Sequence, residues 1–542
     1  MKRPPLWYKD AIFYELYVRA FRDSNGDGHG DLRGVIEKLD YLQDLGVNCV
    51  WLLPIFPSPL LDDGYDVADF YDIHPDYGTL KDFKDLIKQA HKRNIRVITD
   101  LVLNHTSAEH AWFKDARSSR KSPYRDYYVW SDAKEKYPGA RIIFLDTETS
   151  NWTWDETSQQ YYWHRFYSSQ PDLNYDNPKV RDEMLQVIKF WLDLGIDGFR
   201  ADAIPYLYER EGTNCENLPE THAFLKQARK FVDEHSPDSI LLSEANQWPK
   251  DVRAYFGDGD EMNMAFHFPL MPRIFMALKR EDVTPVRQIL KSTPPIPDNC
   301  QWCTFLRNHD ELTLEMVTAR ERNWMWRQFA PDPRMRLNLG IRRRLAPLLD
   351  NNFDKIMLAN SILFTMPGSP IIYYGDELGM GDNILLHDRD GVRTPMQWNQ
   401  GKHAGFSDAD QTYSPVISES PFDPANVNVV SQQADLASMY YMIKNMVAVR
   451  KTHRAFGWGD FVWATVSNPK QIAAYFRTFE GENLLIVNNL SSSNQKIFID
   501  IPTENIFFPP PNLFTGKATG ELADGQLRLE LPPFGYEWLK LS

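Results

Sequence analysis

The sequence has few cysteines, no long hydrophobic run and a shortage of positive charge. Four cysteines in 542 residues form no disulfide framework and fit a reducing compartment. No run of about 18 apolar residues occurs, and the N-terminus lacks the apolar stretch of a signal peptide. We therefore expect a cytoplasmic protein without a membrane anchor. Lys and Arg number 60 against 74 Asp and Glu, and this net charge of −14 disfavours nucleic acid or an anionic membrane as a partner.

The remaining composition is that of a large globular protein. Hydrophobic residues make up 43% and charged residues 25%, which excludes the disordered and collagen-like classes. A chain of this length predicts about three or four domains and needs no disulfide or metal to form a core. Aromatic residues reach 13%, with 16 Trp. Aromatic faces beside polar groups suit sugars, although ordinary packing accounts for most such side chains. The substrate is expected to be small or neutral.

β-rich segments alternate with helical patterns through most of the chain. Gly46 is predicted to end a helix, Thr79 to cap one and Pro178 to begin one. Consecutive βα units predict a (β/α)8 TIM barrel. An open doubly wound sheet is the alternative, disfavoured because no phosphate-binding glycine loop accompanies the units. The eight predicted strands are 12–19, 48–53, 96–101, 196–201, 239–243, 262–266, 302–306 and 370–374.

The barrel is predicted to be interrupted and followed by other domains. Residues 1–103 and 177–456 form the predicted catalytic barrel. Residues 104–176, rich in Trp, Tyr and polar residues without a clear helix, form a predicted excursion domain after strand three. An insertion at about 311–357 is expected to cover the barrel mouth. Short alternating strands over 457–542 predict an antiparallel β-sandwich.

Three carboxylates follow three different predicted strands. Asp202, Glu244 and Asp310 are accompanied by Arg200 and by two histidines. Strand ends meet at one mouth of such a barrel. Two carboxylates about 5–5.5 Å apart are the apparatus of a retaining glycosidase. A chance convergence of common acidic residues is the alternative, which the neighbouring Arg and His disfavour.

The surroundings of these carboxylates predict their protonation. Arg200 is expected to lower the pKa of Asp202 and keep it ionised, whereas burial is expected to keep a proton on Glu244. The histidines could be metal ligands, but no third His or Cys stands at ligand spacing. This spacing favours hydrogen bonds to sugar hydroxyls.

The same residues lie in motifs that resemble glycoside hydrolase family 13, the α-amylase family. The motifs are DLVLNH at 100–105, GFRAD at 198–202, Glu244, NHD at 308–310 and QPDLN at 170–174, and the resemblance extends over nearly the whole chain. It implies that Asp202 is the nucleophile, Glu244 the acid/base and Asp310 the stabiliser of the distorted sugar. The glucose-binding positions that it implies are Tyr65, Asp66, His105, Arg200, His309 and Arg393.

One segment separates subgroups within this family. Residues 205–222 resemble members that interconvert maltose and trehalose. The leading hypothesis is an isomerase without organic cofactor, in which the released glucose attacks a glucosyl-Asp202 intermediate and hydrolysis is minor. An exo-acting α-glucosidase or oligo-1,6-glucosidase is the alternative. A non-catalytic barrel protein is disfavoured because all three carboxylates are present, and a homo-oligomer is compatible with the sequence.

Two structural calcium sites are expected. Asp23, Asn25, Asp27, His29 (by its carbonyl) and Asp31 begin like an EF-hand, but Gly34 stands where a bidentate Glu is needed. Related exo-acting family members bind calcium in this loop, and a metal-free glycine-rich turn is the alternative. The second site follows from the resemblance alone, and its expected ligands are Asn104, Asp172, Tyr206 and Leu207 by their carbonyls, and Glu209.

Overall fold

Eight parallel strands form a closed barrel in the computed structural model, which describes residues 6–501, 507–523 and 525–542. Each strand pairs with the next one along the chain, and the eighth pairs with the first. The predicted TIM barrel is therefore confirmed. The strands are Phe13–Leu16, Cys49–Leu52, Arg96–Val102, Gly198–Asp202, Ile240–Ser243, Met264–Phe266, Gln301–Phe305 and Ser369–Tyr373.

Helices surround the barrel and begin and end at the predicted signals. Thr79 and Asp82 form a capping box at one helix start, and Pro178 occupies the first turn of another. Gly46 has a φ of 94°, a left-handed conformation that ends the helix before it. The longer helices are Leu32–Glu37, Leu39–Leu45, Leu80–Lys92, Pro178–Asp193, Pro219–His235, Leu270–Arg280, Thr284–Ser292, Phe353–Thr365 and Met439–Thr452, and the shorter ones are Val18–Phe21, Pro249–Val252, Leu345–Leu348, Val429–Gln433 and Ala455–Trp458.

The fourth barrel strand depends on a glycine at its start. Gly198 has a φ of 146°, and a Cβ there would lie 2.3 Å from the carbonyl oxygen of Ile240 on the fifth strand. The absence of a side chain lets the two strands approach closely. The strand then pairs Arg200 with Asp100 of the third strand, so both side chains point into the barrel.

The excursion after strand three contains a helix that the sequence did not reveal. The prediction of no clear helix was wrong, because Ala111–Ser118 is helical and His110 accepts a hydrogen bond from the N–H of Trp112 at its start. Only Phe113 and Ala116 of this helix are buried, and two apolar positions give too weak a periodic signal. A small antiparallel sheet accompanies the helix, with strands Trp130–Ser131, Trp152–Asp155 and Gln160–Trp163.

The later insertion combines one helix with a second small sheet. Helix Ala319–Phe329 begins with a capping box of Thr318 and Glu321. The sheet strands are Leu312–Thr313, Arg336–Leu337 and Gly340–Ile341.

The C-terminal region forms two antiparallel sheets that pack face to face. Ile472 and Leu485 of one sheet share a hydrophobic core with Ile497 and Leu527 of the other, as expected for a sandwich. The predicted domain boundaries remain predictions. Within the described residues, no helix has both the length and the hydrophobicity needed to cross a bilayer. The strands are Asp460–Trp463, Ile472–Phe479, Glu482–Asn489 and Tyr536–Lys540 in one sheet, and Gln495–Asp500, Glu521–Ala523 and Gln526–Leu531 in the other.

Candidate active site

Arg200 lies at the centre of the barrel mouth and contacts three carboxylates. Its guanidinium is 2.6 Å from an oxygen of Asp100, 2.6 Å from Glu244 Oε1, and hydrogen-bonded to Asp202. The Arg200 side chain is 1% exposed. A buried charge of this kind is tolerated only with full pairing. The structure therefore brings Asp202 and Glu244 together on one guanidinium, as the strand-end analysis predicted.

The two carboxylates differ in proton affinity. Burial raises the pKa of Asp202 to about 6, although Arg200 acts in the opposite direction. Arg200 lowers this pKa as expected, but desolvation outweighs the ion pair, so the pKa of Asp202 still lies above its usual value. Burial raises the pKa of Glu244 further, to about 8, and the neighbouring Asp202 and Asp310 carboxylates add to the effect of burial. At neutral pH, Asp202 is mostly ionised and Glu244 mostly protonated.

Asp310 is held by two arginines at the same mouth. Its Oδ1 is 2.9 Å from Arg389 and 3.2 Å from Arg393, and its Oδ2 is 3.2 Å from His309 Nε2. Although burial opposes the shift, His309 and the two arginines hold the pKa of Asp310 well below its usual value. Asp310 is therefore a fixed negative charge.

Tyr65 and His105 complete the floor of the cavity. The Tyr65 hydroxyl is 2.7 Å from His309 Nε2, and the two rings stack. His105 packs against Phe166, and its Nε2 has no hydrogen-bond partner among the described residues. An unpartnered ring nitrogen that faces a cavity is available to a ligand hydroxyl.

Asp66 and Arg393, like Arg200, are predicted glucose-binding residues that do not line the cavity. Asp66 is fully buried and accepts hydrogen bonds from Ser58 Oγ and from the N–H groups of Leu61 and Asp62. It shapes the loop and does not line the cavity. Arg393 lies behind Asp310 and donates to the His309 carbonyl at 2.9 Å. Both residues support the site from behind because their polar atoms are already used by protein groups.

Asp62 and Arg389 line the cavity and were missed from the sequence. They form an ion pair at 2.7 Å. Asp62 stands three residues before Tyr65 and Arg389 four residues before Arg393, so each adjoins a recognised motif. Nothing in that spacing shows that the two loops meet.

The lining of the cavity also includes residues that the sequence analysis did not select. Phe144, Phe166 and Phe268 supply aromatic faces. The polar residues there are Tyr206, Asn246, Glu311, Thr313 and Glu315. Such a mixed lining binds the C–H faces and hydroxyls of a sugar.

Arg141 joins the three elements that cover the cavity. Its guanidinium is 2.9 Å from Glu216 in the 205–222 segment and 2.9 Å from Glu315 in the later insertion. It also donates to the Tyr206 hydroxyl at 3.1 Å. Because Arg141 belongs to the excursion, one side chain links the excursion to both of the other elements.

Three buried oxygens near the base of the excursion have no partner among the described residues. They are Asn104 Oδ1, Asp172 Oδ2 and Glu209 Oε1. Burial, and after it the charge of Asp172, raises the pKa of Glu209 well above its usual value. Unpaired buried oxygens are costly unless a cation or a proton satisfies them, so this group fits the second predicted cation site.

The first predicted cation loop is already hydrogen-bonded internally. Asp23 accepts from the N–H groups of residues 25, 26 and 28 and from Ser407 Oγ. Asp31 caps helix Leu32–Glu37 and also binds Ser24. In the part of the chain that the structure describes, no three His, Cys, Asp or Glu side chains are grouped to hold a metal. Because the Asp23 and Asp31 oxygens already have hydrogen-bond partners, the fit to a cation is poorer in this loop than at the unpartnered oxygens of the second site.

Comparisons with known proteins agree with the geometry. The model described as "Alpha amylase, catalytic domain" matches residues 15–332 and 338–459, and "Maltogenic Amylase, C-terminal domain" matches 463–538. The chain is 54% identical to the trehalose synthase/amylase TreS of Mycobacterium tuberculosis, over 99% of this chain and 91% of that protein. It is 52% identical to the trehalose synthase of Pimelobacter, over 99% and 96%. The trehalulose synthase MutB of Pseudomonas mesoacidophila superposes with a TM-score of 0.79 at 28% identity, over 99% of both chains.

The two shifted pKa values predict a narrow bell-shaped pH profile. We expect kcat/KM for maltose, whose leaving glucose needs a proton, to fall below about pH 6, where Asp202 becomes protonated, and above about pH 8, where Glu244 loses its proton. Glu244→Gln should remove the alkaline limb, because no proton is left to lose. An acid limb near pH 4, the ordinary range for a carboxyl, would contradict the effect of burial on Asp202.

Proposed function

The chain belongs to the alpha-amylase family, and we propose that it interconverts maltose and trehalose by moving a glucosyl group within one bound disaccharide. It is an isomerase-type glucosyltransferase. The observation that carries the proposal is the link that Arg141 makes between the excursion, the 205–222 segment and the later insertion at the cavity. The high identity to trehalose synthases over almost the whole chain supports it.

The first half-reaction forms a glucosyl ester on Asp202. An Asp202 oxygen attacks the anomeric carbon, and the glycosidic bond breaks as Glu244 donates its proton to the leaving oxygen. The pKa order of the two groups places the charge and the proton where this step needs them. The fixed charge of Asp310 and the Tyr65 and His105 side chains hold the glucosyl unit.

The second half-reaction decides between isomerase and hydrolase. Glu244, now ionised, takes the proton from the anomeric hydroxyl of the released glucose as that oxygen attacks the ester and Asp202 leaves. Water competes for the same ester. Trehalose forms only if the released glucose is retained and water is excluded from the cavity. The aromatic faces of the lining, together with Tyr206, Glu311 and Glu315, provide contacts for the retained glucose.

A plain exo-acting α-glucosidase is the second candidate. The same Asp202, Glu244 and Asp310 would serve it, and the Asp62–Arg389 ion pair in the cavity lining would bind the terminal glucose on which an exo enzyme acts. A hydrolase needs water on the acceptor side, whereas an isomerase must retain glucose there. The Arg141 link between three elements at the cavity, together with the identity to trehalose synthases, favours the isomerase.

We propose a structural calcium at Asn104, Asp172 and Glu209, with the carbonyls of Tyr206 and Leu207. Three unpartnered buried oxygens support it. The ion would neutralise the two carboxylates and fix the excursion and the 205–222 segment at the base of the cavity. A cation in the 23–31 loop stays a prediction.

Location and assembly are also proposals. The four cysteines are free and buried, which supports a protein of the cytoplasm. We propose disaccharides as its binding partners, and a homo-oligomer stays a prediction.

Incubation with maltose tests the proposed function. We expect trehalose as the main product with glucose as a minor one, and added labelled glucose should not enter trehalose if transfer occurs within one disaccharide. Asp202→Asn should abolish conversion, because an amide cannot form the glucosyl ester. Release of glucose alone would support the glucosidase instead.

Opening the mouth should shift the product ratio. Arg141→Ala is expected to raise glucose relative to trehalose about two- to tenfold while maltose cleavage continues. A half-exposed ion pair is worth about 1 kcal/mol, which changes the closed-to-open ratio about fivefold. The control is Arg120→Ala, which removes an exposed excursion arginine paired with Asp132. An unchanged ratio in the Arg141 variant would show that retention depends on other contacts.

Metal analysis tests the calcium site. Purified protein should contain calcium, and exhaustive chelation should lower the melting temperature, because an ion bound only by the folded state stabilises it. Glu209→Gln should reduce both the calcium content and the effect of chelation, whereas Glu211→Gln, an exposed neighbour, should change neither. A metal-free protein with an unchanged melting temperature would exclude the site. A second calcium that is lost in Asp27→Asn would place one in the first loop.

A further inference from the structure

Arg389, in the lining of the catalytic cavity, meets three carboxylates through its three nitrogens. Nη1 is 2.9 Å from Asp310 Oδ1, Nη2 is 2.7 Å from Asp62 Oδ1, and Nε is 3.1 Å from Asp388 Oδ1. The Arg389 side chain is 8% exposed. Because a guanidinium is planar and rigid, hydrogen bonds from all three nitrogens fix its orientation.

The excursion supplies hydrogen bonds to two of these three carboxylates. The Tyr167 hydroxyl donates to Asp388 Oδ2 at 2.7 Å. Gln170 Nε2 donates to Asp62 Oδ2 at 2.9 Å, and the backbone nitrogen of Tyr167 donates to Gln170 Oε1 at 3.1 Å. Each of the two carboxylates therefore contacts Arg389 with one oxygen and the excursion with the other.

An aromatic ring of the excursion lies against the same guanidinium. The Phe144 ring centroid is 5.3 Å from Arg389 Cζ, within the range of a cation–π contact, and 4.4 Å from the centroid of the Tyr167 ring. Arg389 itself lies outside the excursion, after the eighth barrel strand. Contacts from the excursion thus converge on an arginine that also holds Asp310.

The loop that carries Asp388 is held independently of the Asp388 side chain. Arg342 Nη1 donates to the carbonyl of Asp388 at 2.5 Å and to that of Leu386 at 2.6 Å. The backbone of this loop therefore has its own anchor. The Asp388 carboxylate is left to join Tyr167 to Arg389.

We propose that Tyr167 and Asp388 are positioning residues that set the orientation of Arg389 toward the glucosyl unit of the bound disaccharide. The inference rests on the proposed function, in which that unit occupies the cavity that Arg389 lines. Neither Tyr167 nor Asp388 lines this cavity, so both act through Arg389.

Tyr167→Phe tests the proposal by removing one hydroxyl while keeping the ring beside Phe144. A weaker contact to non-reacting sugar hydroxyls affects the ground state and the transition state alike. We therefore expect KM for maltose to rise about two- to tenfold, the range for one ordinary hydrogen bond, with kcat changed less than about twofold. The inhibition constant of 1-deoxynojirimycin, a glucose-shaped iminosugar, should rise by the same factor.

Asp388→Gly shows whether Tyr167 acts through the carboxylate. Glycine is the suitable replacement because Asp388 has a φ of 41°, which glycine adopts without strain. Loss of a charged partner of Arg389 should raise KM and the inhibition constant about 10- to 100-fold. In this background, Tyr167→Phe should add less than about twofold, because its hydroxyl has no carboxylate left to hold. Effects that multiply in the double variant would overturn the proposed route.

Tyr71→Phe is the matched control. The Tyr71 hydroxyl also donates to a carboxylate oxygen at 2.7 Å, that of Glu183, and Tyr71 is half-buried like Tyr167. Neither Tyr71 nor Glu183 lines the cavity. This variant should leave KM, kcat and the inhibition constant unchanged. If Tyr167→Phe likewise lowered only the melting temperature, its role would be structural and the proposal would be wrong.

The inhibition constant separates this proposal from the proposed function. It reports how a glucose-shaped ligand fits the cavity, and it does not depend on which acceptor attacks the glucosyl ester. Release of glucose alone from maltose would contradict the isomerase, while a raised inhibition constant in Tyr167→Phe would still support the positioning role. An unchanged inhibition constant in an enzyme that forms trehalose would overturn the positioning role alone.

Discussion

The burial of one guanidinium among carboxylates is the constraint on which the site depends. Arg200 is almost fully enclosed and contacts Asp100, Asp202 and Glu244. One positive charge cannot compensate three negative ones in a space with little water. The surplus is relieved by proton binding, which burial promotes, and it leads to a pKa of about 8 for Glu244 against about 6 for Asp202. The same desolvation that strains the cluster thus separates acid from nucleophile.

Ion pairs at the mouth link the three elements that surround this cluster. Arg141 draws the excursion, the 205–222 segment and the later insertion together through Glu216 and Glu315. Water kept out of the cavity can neither solvate the carboxylates nor attack a glucosyl ester. Exclusion of water therefore sets the proton affinities in the first half-reaction and the choice of acceptor in the second.

Buried polar groups behind the cavity also hold the residues of its lining in place. Asp66 and Arg393 do not line the cavity, yet each fixes a residue or loop that does. At the base of the excursion, the unpartnered oxygens of Asp172 and Glu209 form a second place where buried negative charge needs compensation. Burying such polar groups lowers stability unless their hydrogen-bond partners are in place, so the fold must position them accurately.

The sequence by itself determined the barrel, its strand order and the three carboxylates at its mouth. Regular βα alternation and strand-end motifs are local patterns, and parallel strands bring their ends together by geometry alone. The Asp62–Arg389 pair, the Arg141 link, the helix Ala111–Ser118 and the contact of Tyr167 with Asp388 were decided by tertiary structure. Tyr167 and Asp388 are 221 positions apart, and Asp62 and Arg389 are 327 apart. The pKa of Asp202 also needed the fold, because the balance of desolvation and ion pairing depends on how completely the assembled chain excludes water.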